Sequence, residues 1–197
     1  MELGINYLMN MSKKFKNKHY KQPVLDVYRP EDIMEMKTIT DGYLVAPGRS
    51  PIEFTCFSMR EMESDRLIFE IRKSQDEGDV CTTQSLTRYD LTPEFLNIPT
   101  LGATVEFKVG PEPIQELRMI ERHFFKDKLL ISHDFTFGFC IPNSVNSWEH
   151  TYEFPTLPLH VRNAMISEPY FTKSDSFYFA NSVLILHNKA EYSFVSK

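Results

Sequence analysis

From Ile52 onward the apolar residues of this chain recur at every second position, in one short run after another. "ATVEFKV" sets Val105, Phe107 and Val109 against Thr104, Glu106 and Lys108. "RLIFEI" alternates Leu67, Phe69 and Ile71, and "HDFTFGFCI" places Phe135, Phe137, Phe139 and Ile141 on one face. Successive side chains of a strand point to opposite sides, so this period specifies half-buried β-strands and not amphipathic helices, whose apolar spacing is about 3.6. "PIEFTCFSM" carries Ile52, Phe54 and Cys56 in one phase and Phe57 and Met59 in the other, as a bulge or twisted edge would give. "TRYDL", with Tyr89 and Leu91 in phase, "LRMIERHFF", "DSFYFA", "VLILHN" and "AEYSFV" complete the set.

Helical signals occur twice. "RPEDIMEMK" has Pro30 at its first turn and Glu31 and Asp32 near its amino end. "LPLHVRNAMIS" has room for a turn or two after Pro158. "KSQDEGDVCTTQ" reads as an exposed loop and "IPNSVNSWEH" as a long turn-rich connection. Eight or so strands with few helices predict an all-β fold, an antiparallel β-sandwich with one or two short helices. Residues 1–28 lack a sustained apolar period and form a loosely ordered basic segment around "SKKFKNKHYK", leaving 29–197 as the folded domain.

Sixteen Phe and nine Tyr supply far more aromatic surface than the strands need for pairing, which favours an aromatic-lined interior. The net charge of −5 and pI near 5.7 argue against nonspecific nucleic-acid binding. Cys56, Cys81 and Cys140 form no C-x-x-C pair, which suits a reducing compartment. There is no signal-peptide pattern and no apolar run of about 18 residues, and the glycine of "MELG" is Gly4, not the second residue that acylation requires. A cytoplasmic protein without stable membrane insertion is therefore expected. The seven glycines are too dispersed for a dinucleotide fingerprint, a P-loop or a nucleophile elbow. The histidines show no metal spacing, so neither a cofactor nor a metal is expected.

One strand does not fit a plain sandwich. At the two-residue period, Leu117, Met119, Glu121, His123 and Phe125 of "LRMIERHFF" point one way, and Arg118, Ile120, Arg122 and Phe124 the other. The first set is the more apolar, yet it contains a glutamate and a histidine. A Glu121–His123 dyad could activate a nucleophile, because a catalytic histidine needs an orienting carboxylate. The pair could equally satisfy itself at the rim of a core.

The long stretches "GATVEFKVG", "RMIERHFFKDKLL" and "DFTFGFCIPNS", followed by "SDSFYF" and "HNKAEYS", resemble the uncoordinated-119 family, relatives of the delta subunit of the photoreceptor cyclic-GMP phosphodiesterase. The resemblance begins near "VYRPEDIMEMKTITDGYLVAPG" and runs to the carboxyl end. It implies an immunoglobulin-like sandwich with a hydrophobic pocket between its sheets. It also implies a non-enzymatic chaperone that sequesters the acylated amino termini of myristoylated proteins, G-protein alpha subunits and ciliary cargo among them. A GTP-bound ADP-ribosylation-factor-like GTPase would release them, in the cytoplasm and at the cilium. Carried over by motif, Glu121 and His123 match polar pocket residues beside the acylated glycine, and Ser176 and Tyr178 match hydrogen-bonding partners across the pocket. Tyr89 matches a further polar contact, and Phe95, Phe154 and Tyr192 match cavity-lining positions. Leu117 and His133 stand where the family usually has aromatics, implying a pocket of different depth or shape. Trp148 resembles the prenyl-binding branch, so a prenyl-solubilising factor is the alternative ligand reading. A Glu-His hydrolase and a purely structural sandwich are the alternatives outside the family.

Overall fold

The computed structural model describes residues 28–45, 50–73 and 86–195, and within them the chain folds as a two-sheet β-sandwich. After helix α1 (Pro30–Glu35) come β1 (Ile52–Glu61), β2 (Arg66–Arg72), β3 (Leu86–Leu91) and a 3-10 turn (Pro93–Asn97). They are followed by β4 (Thr100–Val109), β5 (Ile114–Phe125), β6 (Lys128–Cys140), β7 (Val145–Glu153), α2 (Leu159–Ser167), β8 (Thr172–Ala180) and β9 (Val183–Phe194). One sheet has the order β2-β1-β4-β7 and the other β3-β9-β8-β5-β6. All pairings are antiparallel except β3 beside β9, which run parallel. The basic segment and the exposed loop expected around 73–84 lie almost wholly outside the described residues.

The main core sits between the sheets, where Leu101, Ala103, Val105, Phe107 and Val109 of β4 meet Leu117 and Met119 of β5 and Tyr178 and Leu186 of β8 and β9. The bulge expected in β1 is present: its register against β4 slips between Phe54 and Cys56. That slip lets Phe54 and Phe57 both pack inward.

Four expectations are corrected. Phe139 and Ile141 do not continue the inward face of Phe135 and Phe137; they are 53% and 61% exposed, and Cys140 is buried in their place. The cause is an irregular register around Phe137, which has no β5 partner, beside Gly138 at φ +91, a conformation that side-chain-bearing residues rarely adopt. Leu67 and Ile71 are exposed because β2 is an edge strand, and in it Ile68 and Phe69 are the half-buried residues. Of the expected connection "IPNSVNSWEH", all of "VNSWEH" is strand β7, with Trp148, His150 and Tyr152 buried at alternate positions. "VLILHN" and "AEYSFV" are one strand of 12 residues.

The outer face of the five-stranded sheet is also covered. Segment 28–45 lies across it, with Ile33 packed on Ile120, Phe177, Phe179 and Leu184. So Ile120, Arg122 and Phe124, read from sequence as the outward set, are buried, whereas Phe125 is only partly buried. Arg122 donates from Nη1 to the carbonyls of Ile33 and Met36 at 2.7 and 2.6 Å. Asp175 Oδ2 accepts from the Thr40 amide and hydroxyl, both at 2.9 Å, and Asp175 Oδ1 lies 2.6 Å from Lys189 Nζ. Leu44 N donates to His187 Nδ1 at 3.1 Å. Buried charges persist only when paired, and each of these holds the strap to the sheet.

Candidate functional site

Between the sheets the packed core gives way to a cavity of about 390 Å³, within the range of about 300–1,000 Å³ usual for small-ligand sites. Phe54, Phe57 and Met59 from β1 form much of one wall, and Met119, Tyr178 and Tyr192 much of the other. Phe95 of the 3-10 turn and Met165 of α2 contribute from the connections.

All eight residues singled out from the sequence lie on this wall: Tyr89, Phe95, Glu121, His123, Phe154, Ser176, Tyr178 and Tyr192. Strand register explains their convergence. Glu121 stands opposite Ser176, and His123 opposite Ser174, on neighbouring strands. Tyr178 follows Ser176 on the same face two residues on. The parallel pairing of β3 with β9 sets Tyr89 directly beside Tyr192, and the rings stack at 5.4 Å and 17°. Tyr89 stacks on its other side against Phe69 of the opposite sheet at 5.4 Å, so an aromatic ladder closes that edge of the sandwich. Leu117, His133 and Trp148, the departures from the family pattern, are not on the cavity wall. Leu117 and Trp148 belong to the solid core. His133 stacks on Phe135 at 5.6 Å and 5°, occupying an aromatic's place with an imidazole.

Glu121 is the electrostatic centre of the cavity. Its Oε2 accepts a hydrogen bond from Tyr152 Oη at 2.6 Å. Its Oε1 lies 3.4 Å from His123 Nε2, an ion-pair contact without hydrogen-bond alignment. Burial opposes ionisation, but the adjoining His123, the Tyr152 hydroxyl and the more distant His133 outweigh it and hold the carboxyl at about 2. Burial, reinforced by the Glu121 charge, raises the phenols of Tyr89, Tyr152, Tyr178 and Tyr192, so each stays a neutral donor. Ser174 Oγ and Tyr192 Oη share a hydrogen bond at 2.9 Å. Burial pushes His150 down to about 4, and that ring sits 4.1 Å from Trp148 and 4.7 Å from Phe135.

Tyr152, His150 and Ser174 were not singled out from the sequence. The signal for the first two was the alternation of Trp148, His150, Tyr152 and Phe154, hidden by the polar residues between them. No group of three or more His, Cys, Asp or Glu residues is placed to hold a metal among the described residues. The site is therefore an apolar chamber with one ionised acceptor and a ring of neutral hydroxyls. It can hold an alkyl chain and pair with the polar group attached to it.

The family described as "GMP-PDE, delta subunit" matches residues 49–194. The chain is 49% identical over 171 residues to Protein unc-119 of Caenorhabditis briggsae, covering 84% of this chain and 79% of that protein. It is 46% identical over 183 residues to Protein unc-119 homolog B of Homo sapiens, covering 86% and 73%. Protein unc-119 homolog of Drosophila melanogaster is 44% identical over 190 residues, covering 84% and 72%.

Proposed function

Since this chain belongs to the family of the GMP-PDE delta subunit, alongside the unc-119 proteins, we propose that it is a non-enzymatic chaperone for lipidated proteins. It encloses the acylated amino termini of myristoylated partners, G-protein alpha subunits and ciliary cargo among them, and carries them through the cytoplasm and to the cilium. The observation that carries this reading is the cavity of about 390 Å³ with Glu121 on its wall. A solid, purely structural sandwich has no use for such a space.

Energy favours the reading. At about 0.8 kcal/mol per buried CH₂, a myristoyl chain gains on the order of 10 kcal/mol in a closed cavity, before the cost of ordering it. A single such chain holds a bilayer only marginally, so a protein pocket competes well for it. Turnover is not supported. Ser174, opposite His123, shares its hydrogen bond with Tyr192, and His123 Nε2 has no hydrogen-bond partner among the described residues. Among the described residues no hydroxyl is hydrogen-bonded to His123 Nε2, the contact by which an imidazole activates a nucleophile.

Fluorescence polarisation with matched peptides tests the ligand class. Myristoyl-glycine peptides bind more tightly than farnesyl-cysteine peptides; the opposite order transfers the protein to the prenyl-binding reading, and absence of binding by either removes both.

A further inference from the structure

The arginines of the strands are all met by acceptors suited to them. Arg60, Arg66, Arg72, Arg88 and Arg118 each face a carboxylate, and Arg122 is held by two backbone carbonyls. Arg162 of α2 is treated differently. Its Nη1 donates to the neutral side-chain oxygen of Asn97, its Nε is buried without a hydrogen-bond partner, and no carboxylate pairs with it among the described residues. A guanidinium matches the geometry of a carboxylate, and a charge beside an apolar space is costly while it lacks a counter-charge. Arg162 is on the cavity wall, and so is Thr172, whose hydroxyl is likewise buried and unpartnered.

Strand register locates this end of the cavity. Glu121 stands in one cross-strand row with Ser176 and Asn188, and Phe125, four residues on, stands in a row with Thr172 and Tyr192. Beyond that row Phe95 of the 3-10 turn stacks on Phe194, and Asn97 of the same turn holds Arg162. The solid core of Phe107, Leu117 and Trp148 closes the opposite end. At the Arg162 end the wall is made of connections, with Pro155, Thr156 and Leu157 among them, so a polypeptide whose lipid fills the chamber leaves it here. Four residues of strand span about 13 Å, and an extended peptide advances about 3.3–3.6 Å per residue. A cargo whose acyl amide sits at Glu121 therefore brings about its fourth to sixth residue to Arg162. We propose that Arg162 determines cargo specificity by pairing with an acidic side chain at that distance from the acylated residue. The inference rests on the lipid-binding reading and deepens it: the lipid supplies most of the affinity, and the guanidinium chooses among the sequences that follow it.

Acyl-glycine peptides carrying a single Glu, Gln or Lys at each position from the third to the eighth test it by fluorescence polarisation. In the wild type, Glu at the fourth to sixth position binds about tenfold more tightly than Gln there, and Lys binds more weakly still. Arg162→Leu brings Glu level with Gln, and Arg162→Glu reverses the order of Glu and Lys. Tetradecanoate, displacing a Gln peptide, examines the other source of a carboxylate. If Arg162→Leu weakens tetradecanoate and leaves the ratio of Glu to Gln unchanged, the guanidinium serves a free fatty acid and the proposal falls. Equal affinity for Glu and Gln at every position overturns it and leaves the lipid-binding reading standing. A preference that peaks outside the fourth to sixth positions, or that survives Arg162→Leu in a folded variant, does the same. Failure of every peptide to bind overturns both. The wild-type scan decides by itself should neither variant fold.

Discussion

The hydroxyl of Tyr152 on β7 and the carboxylate of Glu121 on β5 meet at 2.6 Å across the interior, a hydrogen bond that joins one sheet to the other through the cavity. Tyr152→Phe keeps the ring contacts and deletes only this donor. Hydrogen bonds to charged groups contribute about 1.5–3 kcal/mol, so the variant unfolds at lower denaturant with an unchanged m-value. Its Glu121 pKa moves up from about 2, because one of the groups holding it down is gone. Carboxyl NMR titration checks that shift, and a pKa that stays put refutes the role given to Tyr152.

Glu121→Gln and His123→Ala weaken acyl-glycine peptides about tenfold or more, equivalent to ~1.4 kcal/mol. An amide left unpaired in a buried mouth loses roughly 1–3 kcal/mol, which is the source of the effect. Peptides with small residues just after the glycine suffer most, since they approach the wall closely. If the pair serves only the core, the same variants melt earlier while affinity per folded molecule is unchanged. Melting curves and titrations on one preparation separate these outcomes.

His150 makes the protein sensitive to acid. Its folded pKa, about 4, lies below the ordinary 6.5, so the unfolded chain binds the proton first. Stability is fully present above 6.5 and is lost as pH falls toward about 4. That gap corresponds to on the order of 3 kcal/mol. His133 and His187, also lowered by burial, act with the same sign. His150→Phe keeps the aromatic contacts and flattens the melting profile over that window; an unchanged slope would falsify the assignment.

Asp175→Ala strands the buried Lys189 ammonium and frees Thr40 from the sheet. Breaking one side of a buried ion pair costs about 3–5 kcal/mol. The largest rise in amide exchange falls on residues 36–45, ahead of any change in the cavity. Uniform loss of protection throughout the domain would show that the strap is not a separable element.

If a GTP-bound ADP-ribosylation-factor-like GTPase releases the cargo, it binds the empty and loaded states differently. A hundredfold loss of cargo affinity corresponds to about 2.7 kcal/mol of coupling, and cargo weakens GTPase binding by the same factor. Stopped-flow off-rates of a fluorescent acyl peptide measure this. Rates that no GTP-loaded member of that class changes would count against the release step.

The period-two pattern gave the strands because burial on one face leaves a direct trace in residue type. The bulge in β1 was legible for the same reason, since Phe54 and Phe57 cannot both be inward without a slip. At Gly138 the trace failed: every neighbour is a good strand residue, and the irregular register that turns Phe139 outward depends on pairing with β5, which no local pattern reports. The break expected between "VLILHN" and "AEYSFV" falls at Lys189, yet that residue is mid-strand and finds Asp175 and Thr40 well over ten residues away in sequence. Glu121 and His123 stood out as polar residues on an apolar face. Tyr152 did not, since a tyrosine in a strand announces nothing until its partner is known. The covered outer face was hidden by Arg122, whose charge is met by backbone carbonyls of the strap.

The parallel pairing of β3 with β9 has a bearing on biosynthesis. β3 sits at the edge of its sheet with β9 as its neighbour, and Tyr89 meets Tyr192 roughly a hundred positions later. Pairing at such separation is slow to form, and it must wait until the last strand has left the ribosome. A nascent chain that has not yet released β9 lacks the Tyr192 rung of the ladder that closes the chamber, so lipid capture waits for β9.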